Sequence, residues 1–200
     1  MSRPQLRWSE LHHGIDPDGV PLLGAWLRWM WAMARPLARR GMHPIVLTAA
    51  GALLAVGAVV AARPWPWVAL GLVLASVVCD GLDGAVAMLS DRATRSGARA
   101  DAVADRVADA SFAAILWRTG APWWLALAAG TVGLAHEGFR ALRGGARLGR
   151  LTVSERPTRT ICAAIACVCA GVSSAAWPPT VCAAVLLTLA VVGLAQLAPS

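Results

Sequence analysis

Six of the eleven acidic residues crowd into the stretch 80–109: Asp80, Asp83, Asp91, Asp101, Asp105 and Asp109. Asp80 and Asp83 are three apart and Asp101 and Asp105 four apart, so on helices each pair shares one face. Two such pairs brought side by side surround one space with four carboxylates. Their mutual repulsion calls for divalent cations, and hard oxygen donors suit Mg²⁺, Mn²⁺ or Ca²⁺. Gly81 and Gly84 beside the first pair, and Gly97 ahead of the second, leave room for a ligand to approach the backbone. Acids of this kind serve a metal-dependent reaction, or a small cation transporter whose Asp residues bind the transported ion.

The elements that must carry these residues are apolar. The chain has 200 residues, 58% hydrophobic and only 14% charged, against about 25% charged in an ordinary soluble domain. This excludes a disordered chain and a large soluble domain. The apolar runs predict spans near 44–62, 65–90, 97–118, 121–141, 157–176 and 179–198. Ahead of them, residues 21–40 mix Trp26, Trp29 and Trp31 with Arg28, Arg35, Arg39 and Arg40. That mixture predicts an amphipathic helix lying in the membrane interface, with Pro36 kinking or ending it. Residues 1–20 are polar and read as a cytoplasmic arm. The fold class is therefore all-α: an integral membrane protein with six transmembrane helices and an N-terminal interfacial amphipathic helix. Residues 41–200 form the membrane domain.

Net charge is +7, and all eighteen basic residues are Arg. Sixteen of them lie in the N-terminal segment, the span 2–3 region and the span 4–5 region. Only Arg63 and Arg118 mark the opposite loops. The positive-inside rule places both termini and the acidic cluster on the cytoplasmic side of the cell membrane. Three Trp-Pro clusters, at 65–67, 122–124 and 177–179, fall on the outer side. Membrane lipids, and not nucleic acid, are the partners this charge implies. The five cysteines sit in apolar runs without metal spacing and read as packing residues. Near the end of span 4, His136 and Glu137 read as a local polar contact. Asp109 reads as a neighbour of the acidic face or a partner of Arg106 or another cation.

The stretch Asp80-Gly81-Leu82-Asp83-Gly84-Ala85-Val86-Ala87, followed by Gly97, Asp101 and Asp105, resembles the signature of the CDP-alcohol phosphatidyltransferase family. Seven of its eight specified positions match at the correct spacing. The transporter reading explains the acids but not the spacing of Gly84, Ala87 and Gly97, and it expects acids nearer the bilayer centre. Gly41-Met42-His43-Pro44 and Thr48 resemble the family's sequence at the start of span 1. Three departures stand out: Met88 where the signature has Arg, Ile45 where the family has Asn, and Arg140-Ala141-Leu142 at the end of span 4, where one branch carries two basic residues. Arg92 lies one turn beyond Met88 if the helix continues.

The resemblance implies transfer of a phosphatidyl group from CDP-diacylglycerol to an alcohol acceptor with release of CMP. It implies two metal ions, Mg²⁺ or Mn²⁺, held by Asp80, Asp83, Asp101 and Asp105, with Asp105 as the general base. It implies nucleotide contacts at Gly84, Ala87, Gly97 and Thr48, and a homodimer. The basic residues Arg140, Arg156 and Arg159 are candidates for a phosphorylated acceptor such as glycerol 3-phosphate or inositol phosphate.

Overall fold

The computed structural model describes residues 21–142 and 156–197; the arm 1–20 lies outside the described residues. All regular structure among them is helical. Seven helices follow in order: α1 Pro21–Arg39, α2 Pro44–Ala61, α3 Pro66–Leu89, α4 Arg95–Thr119, α5 Trp123–Leu142, α6 Arg156–Val172 and α7 Trp177–Leu197. They match the amphipathic segment and the six predicted spans to within a few residues.

The boundaries have local causes. Pro44 and Pro66 open α2 and α3, where the missing N–H costs nothing. Thr94 caps α4, its Oγ1 accepting from Gly97 N–H at 3.0 Å. α1 closes on Gly41 in the left-handed region (φ 77°), with Met42 N–H donating to Leu37 O at 3.1 Å. α3 closes the same way on Asp91 (φ 52°), with Arg92 N–H donating to Ala87 O at 3.1 Å. Both are the six-to-one closure of a Schellman motif. Of the two outcomes expected at Pro36, the helix does not end there: α1 runs on for a further turn to Arg39. α3 ends at Leu89, so the helix does not continue to Arg92, which leaves from a loop.

The chain forms two compact units. The first comprises the described residues up to Ala50 together with Val78–Ala102. α1 buries Leu27, Met30, Trp31 and Ala34, spaced along one helix face, against Leu47 of α2 and Leu82, Ala85 and Val86 of α3. On its other side Trp26 and Trp29 are exposed, their rings 5.6 Å apart.

The second unit comprises Gly51–Val77 with the described residues from Val103 onwards. One cluster joins Ala58 and Ala62, Ala69 and Val73, Phe112 and Ile115 with Cys167. Another joins Leu116, Leu125, Ala129, Cys162, Cys182 and Leu186. Small residues let the helices come close: a Cβ on Gly130 would lie 2.9 Å from Ala113 Cβ, and one on Gly171 would lie 2.7 Å from the Trp67 ring. The five cysteines are free, and Cys162, Cys167 and Cys182 are buried.

Three helices among the described residues are long and apolar enough to cross a membrane: Pro44–Ala61, Pro66–Leu89 and Trp177–Gln196. Their outward apolar side chains, such as Leu53, Val60, Leu74 and Val185, are exposed. Water would not stabilise such faces, whereas lipid does. This is a membrane protein.

Candidate active site

The first unit contains a cavity of about 290 Å³. Thr48 comes to it from the second turn of α2, Asp83, Gly84 and Ala87 from the end of α3, and Gly97 and Asp101 from the start of α4. The four residues expected to contact a nucleotide thus line one space. Helix periodicity explains the share from α3, since positions 83, 84 and 87 lie along one stripe.

The glycines divide. A Cβ on Gly84 would meet nothing within 4 Å, so this position keeps the cavity open. A Cβ on Gly81 would lie 2.8 Å from Met30 Sδ and 3.5 Å from the Trp26 ring. Gly81 therefore admits α1 and not a ligand, which corrects the expectation that both glycines serve the site.

Asp83 is buried, and Thr48 Oγ1 donates to its Oδ2 at 2.6 Å. The same hydroxyl lies 3.3 Å from Pro44 O. It has one proton, and the Asp83 oxygen at the shorter distance takes it. Thr48 therefore aims the Asp83 carboxylate as well as lining the cavity. Asp80 and Asp101 are half-buried, with carboxylate oxygens within 4.8 Å of each other. Two carboxylates at that distance repel, and the donor set is all hard oxygen, so the pair fits a divalent cation. Asp105 stands one turn beyond Asp101 on α4 and is also half-buried.

Met88 and Arg92 both line the cavity. Arg92 is exposed, and its Nη1 donates to Gly41 O at 3.1 Å. His43 stands at the start of α2, where its Nδ1 accepts from Ile45 N–H at 3.4 Å.

In the second unit Arg159 is buried. Its Nη1 donates to Asp109 Oδ2. Its Nη2 donates to Glu137 Oε1 at 3.2 Å and Gly133 O at 3.3 Å. Arg106 Nη1 lies 3.6 Å from the same Asp109 oxygen, and His136, fully buried, has its Nδ1 3.7 Å from Glu137 Oε1. Sequence reasoning anticipated a cation for Asp109 but not that it is Arg159, fifty residues away, nor that Glu137 shares it. The available signal was that opposite charges within apolar helices must pair. The side chains of Arg140 and Arg156 lie outside the described residues.

No curated protein matches the chain. Among solved structures, it is similar to the crystal structure of Mycobacterium tuberculosis phosphatidylinositol phosphate synthase with CDP-DAG bound. The TM-score is 0.63 at 26% sequence identity, over 85% of this chain and 90% of that one. Residues 42–196, which include the whole acidic signature, match the family described as CDP-alcohol phosphatidyltransferase. Over three quarters of its length, then, this chain belongs to the CDP-alcohol phosphatidyltransferase family, the phosphotransferases of phospholipid synthesis that release CMP.

Proposed function

We propose that the protein transfers the phosphatidyl group of CDP-diacylglycerol to a phosphorylated alcohol at the cytoplasmic face of the cell membrane. The observation that carries this is the convergence of Thr48, Asp83, Gly84, Ala87, Gly97 and Asp101 on one cavity, in a chain that matches the family. The solved relative with CDP-DAG bound supports the donor.

The acceptor hydroxyl oxygen attacks the phosphorus that carries diacylglycerol. The bond to the CMP oxygen breaks and CMP leaves. Asp105 takes the hydroxyl proton as general base. Asp80, Asp83, Asp101 and Asp105 would hold the divalent metal, Mg²⁺ or Mn²⁺, with two ions as the reading the signature favours. When bound, such ions screen the diphosphate and act as Lewis acids on its oxygens. Gly84, Ala87 and Gly97 keep side chains out of the nucleotide's way. Thr48 holds Asp83 in place.

For the acceptor phosphate we assign the basic stretch around Arg140, Arg156 and Arg159. Arg159 reaches a phosphate only by giving up a carboxylate, so Arg159→Ala lowers stability as well as acceptor affinity. Arg156→Ala raises the acceptor KM. The six helices after α1 cross the bilayer, α1 lies in its interface, and the protein works as a homodimer.

The test is CMP release by the purified protein from CDP-diacylglycerol, with glycerol 3-phosphate, inositol phosphate or an unphosphorylated alcohol as acceptor. Release requires Mg²⁺ or Mn²⁺, stops with a chelator, returns when metal is restored, and is lost in Asp105→Asn. Release that survives Asp105→Asn, or that favours the unphosphorylated alcohol, overturns the corresponding assignment.

A further inference from the structure

We propose that Arg92 supplies the cation that binds the diphosphate of the CDP donor, from the loop after α3, in place of the Arg that the signature puts at position 88. This rests on reading the first unit's cavity as the nucleotide site. Met88 lines that cavity with an uncharged thioether, so its own position brings no charge. Asp83 and Asp101 line the same cavity, and an anionic diphosphate beside carboxylates needs compensating positive groups beyond any metal. Among the described residues that line the cavity, Arg92 is the one guanidinium.

Its placement is built into the backbone. The left-handed Asp91 (φ 52°) and the bond from Arg92 N–H to Ala87 O turn the chain back over the end of α3, instead of carrying Arg92 onward along a helix. Nη1 is then anchored on Gly41 O at 3.1 Å. A guanidinium has five N–H donors, so one anchored donor leaves the remainder for a phosphate in fork geometry.

Two helix starts reinforce it. His43, just ahead of α2, with Pro44 and Ile45 of its first turn, and Thr94, which caps α4, with Gly97 of its first turn, line the same cavity, so the positive ends of two helix dipoles lie beside the space that Arg92 also lines. Arg95 and Arg99, close in sequence, are not part of the lining.

Arg92→Gln tests the idea, because the amide retains an N–H donor for Gly41 O while removing the charge. CMP release is measured against CDP-diacylglycerol concentration at saturating acceptor, and CDP binding is measured directly by calorimetry. The expected result is a KM for the donor and a Kd for CDP each raised about 10- to 100-fold, the range of one charged hydrogen bond, with the acceptor KM unchanged. Met88→Arg added to Arg92→Gln is expected to recover most of that loss. A wild-type protein that binds CDP, with an Arg92→Gln variant that binds it equally well, overturns the role of Arg92 alone. A wild-type protein that binds no CDP overturns the reading of the cavity, and the role of Arg92 with it.

Discussion

At residue scale the site depends on small differences between neighbours in sequence. Gly81 and Gly84 are one turn apart on α3, yet one admits Met30 and the other faces open space. Gly81→Ala forces a buried methionine to shift, at about 1–3 kcal/mol. Thermal unfolding in detergent checks this as a lowered Tm with the donor KM little changed. Gly84→Ala does the opposite: the fold is unaffected, and the donor KM rises because the methyl group enters the nucleotide's space. A Tm loss in Gly84→Ala, or none in Gly81→Ala, contradicts the division. Thr48→Val keeps shape but removes the donor to Asp83 Oδ2. Groups that orient a metal ligand typically contribute about 10- to 100-fold in metal affinity or activity. A Mn²⁺ titration of CMP release reads that loss as a raised half-saturating concentration. An unchanged titration curve removes Thr48 from the metal site.

At the scale of elements, the buried charges hold helices together. Arg159 of α6 is shared by Asp109 of α4 and Glu137 of α5, so three helices meet at one guanidinium. Asp109 stands one turn from Asp105 on α4, which makes the rotation of that helix, and with it the direction of Asp105, depend on this pairing. Removing one partner leaves the other charge buried, a loss of about 3–5 kcal/mol. Asp109→Leu and Arg159→Met are each expected to lower Tm strongly. The double variant loses less than the sum of the two, because the Asp109–Arg159 pair leaves together and only Glu137 is deprived of its guanidinium. Additive losses in the double variant show that the two residues act independently.

For the whole molecule, the Arg distribution and the apolar helices make one prediction: both termini face the cytoplasm. A reporter that fluoresces only in the cytoplasm is active when fused after residue 200, and a periplasmic phosphatase fused there is inactive. The reverse pattern means an odd number of crossings or the inverted orientation, and either overturns the prediction. Among the described residues, only α2, α3 and α7 satisfy length and apolarity together. α4 misses because Asp101, Asp105, Arg106 and Asp109 share it, so a helix that carries half of the acidic signature is among those that apolarity alone leaves out.

The helices were legible in the sequence because their causes are local. Proline at helix starts, Gly41 past the end of α1 and apolar runs of spanning length act over a few residues and need no partner. The acidic signature was legible for the same reason, since spacing along one helix determines which side chains share a face. What the tertiary structure decided is what lies opposite each face. Nothing near Gly81 in sequence announces Met30, nothing near Thr48 announces Asp83, and nothing near Arg159 announces Asp109 and Glu137. Each of those contacts depends on how one helix is rotated and tilted against another, and that is determined by the summed packing of many small side chains. Periodicity along a single helix cannot carry that information, so the partner of each group emerges only when the helices are assembled.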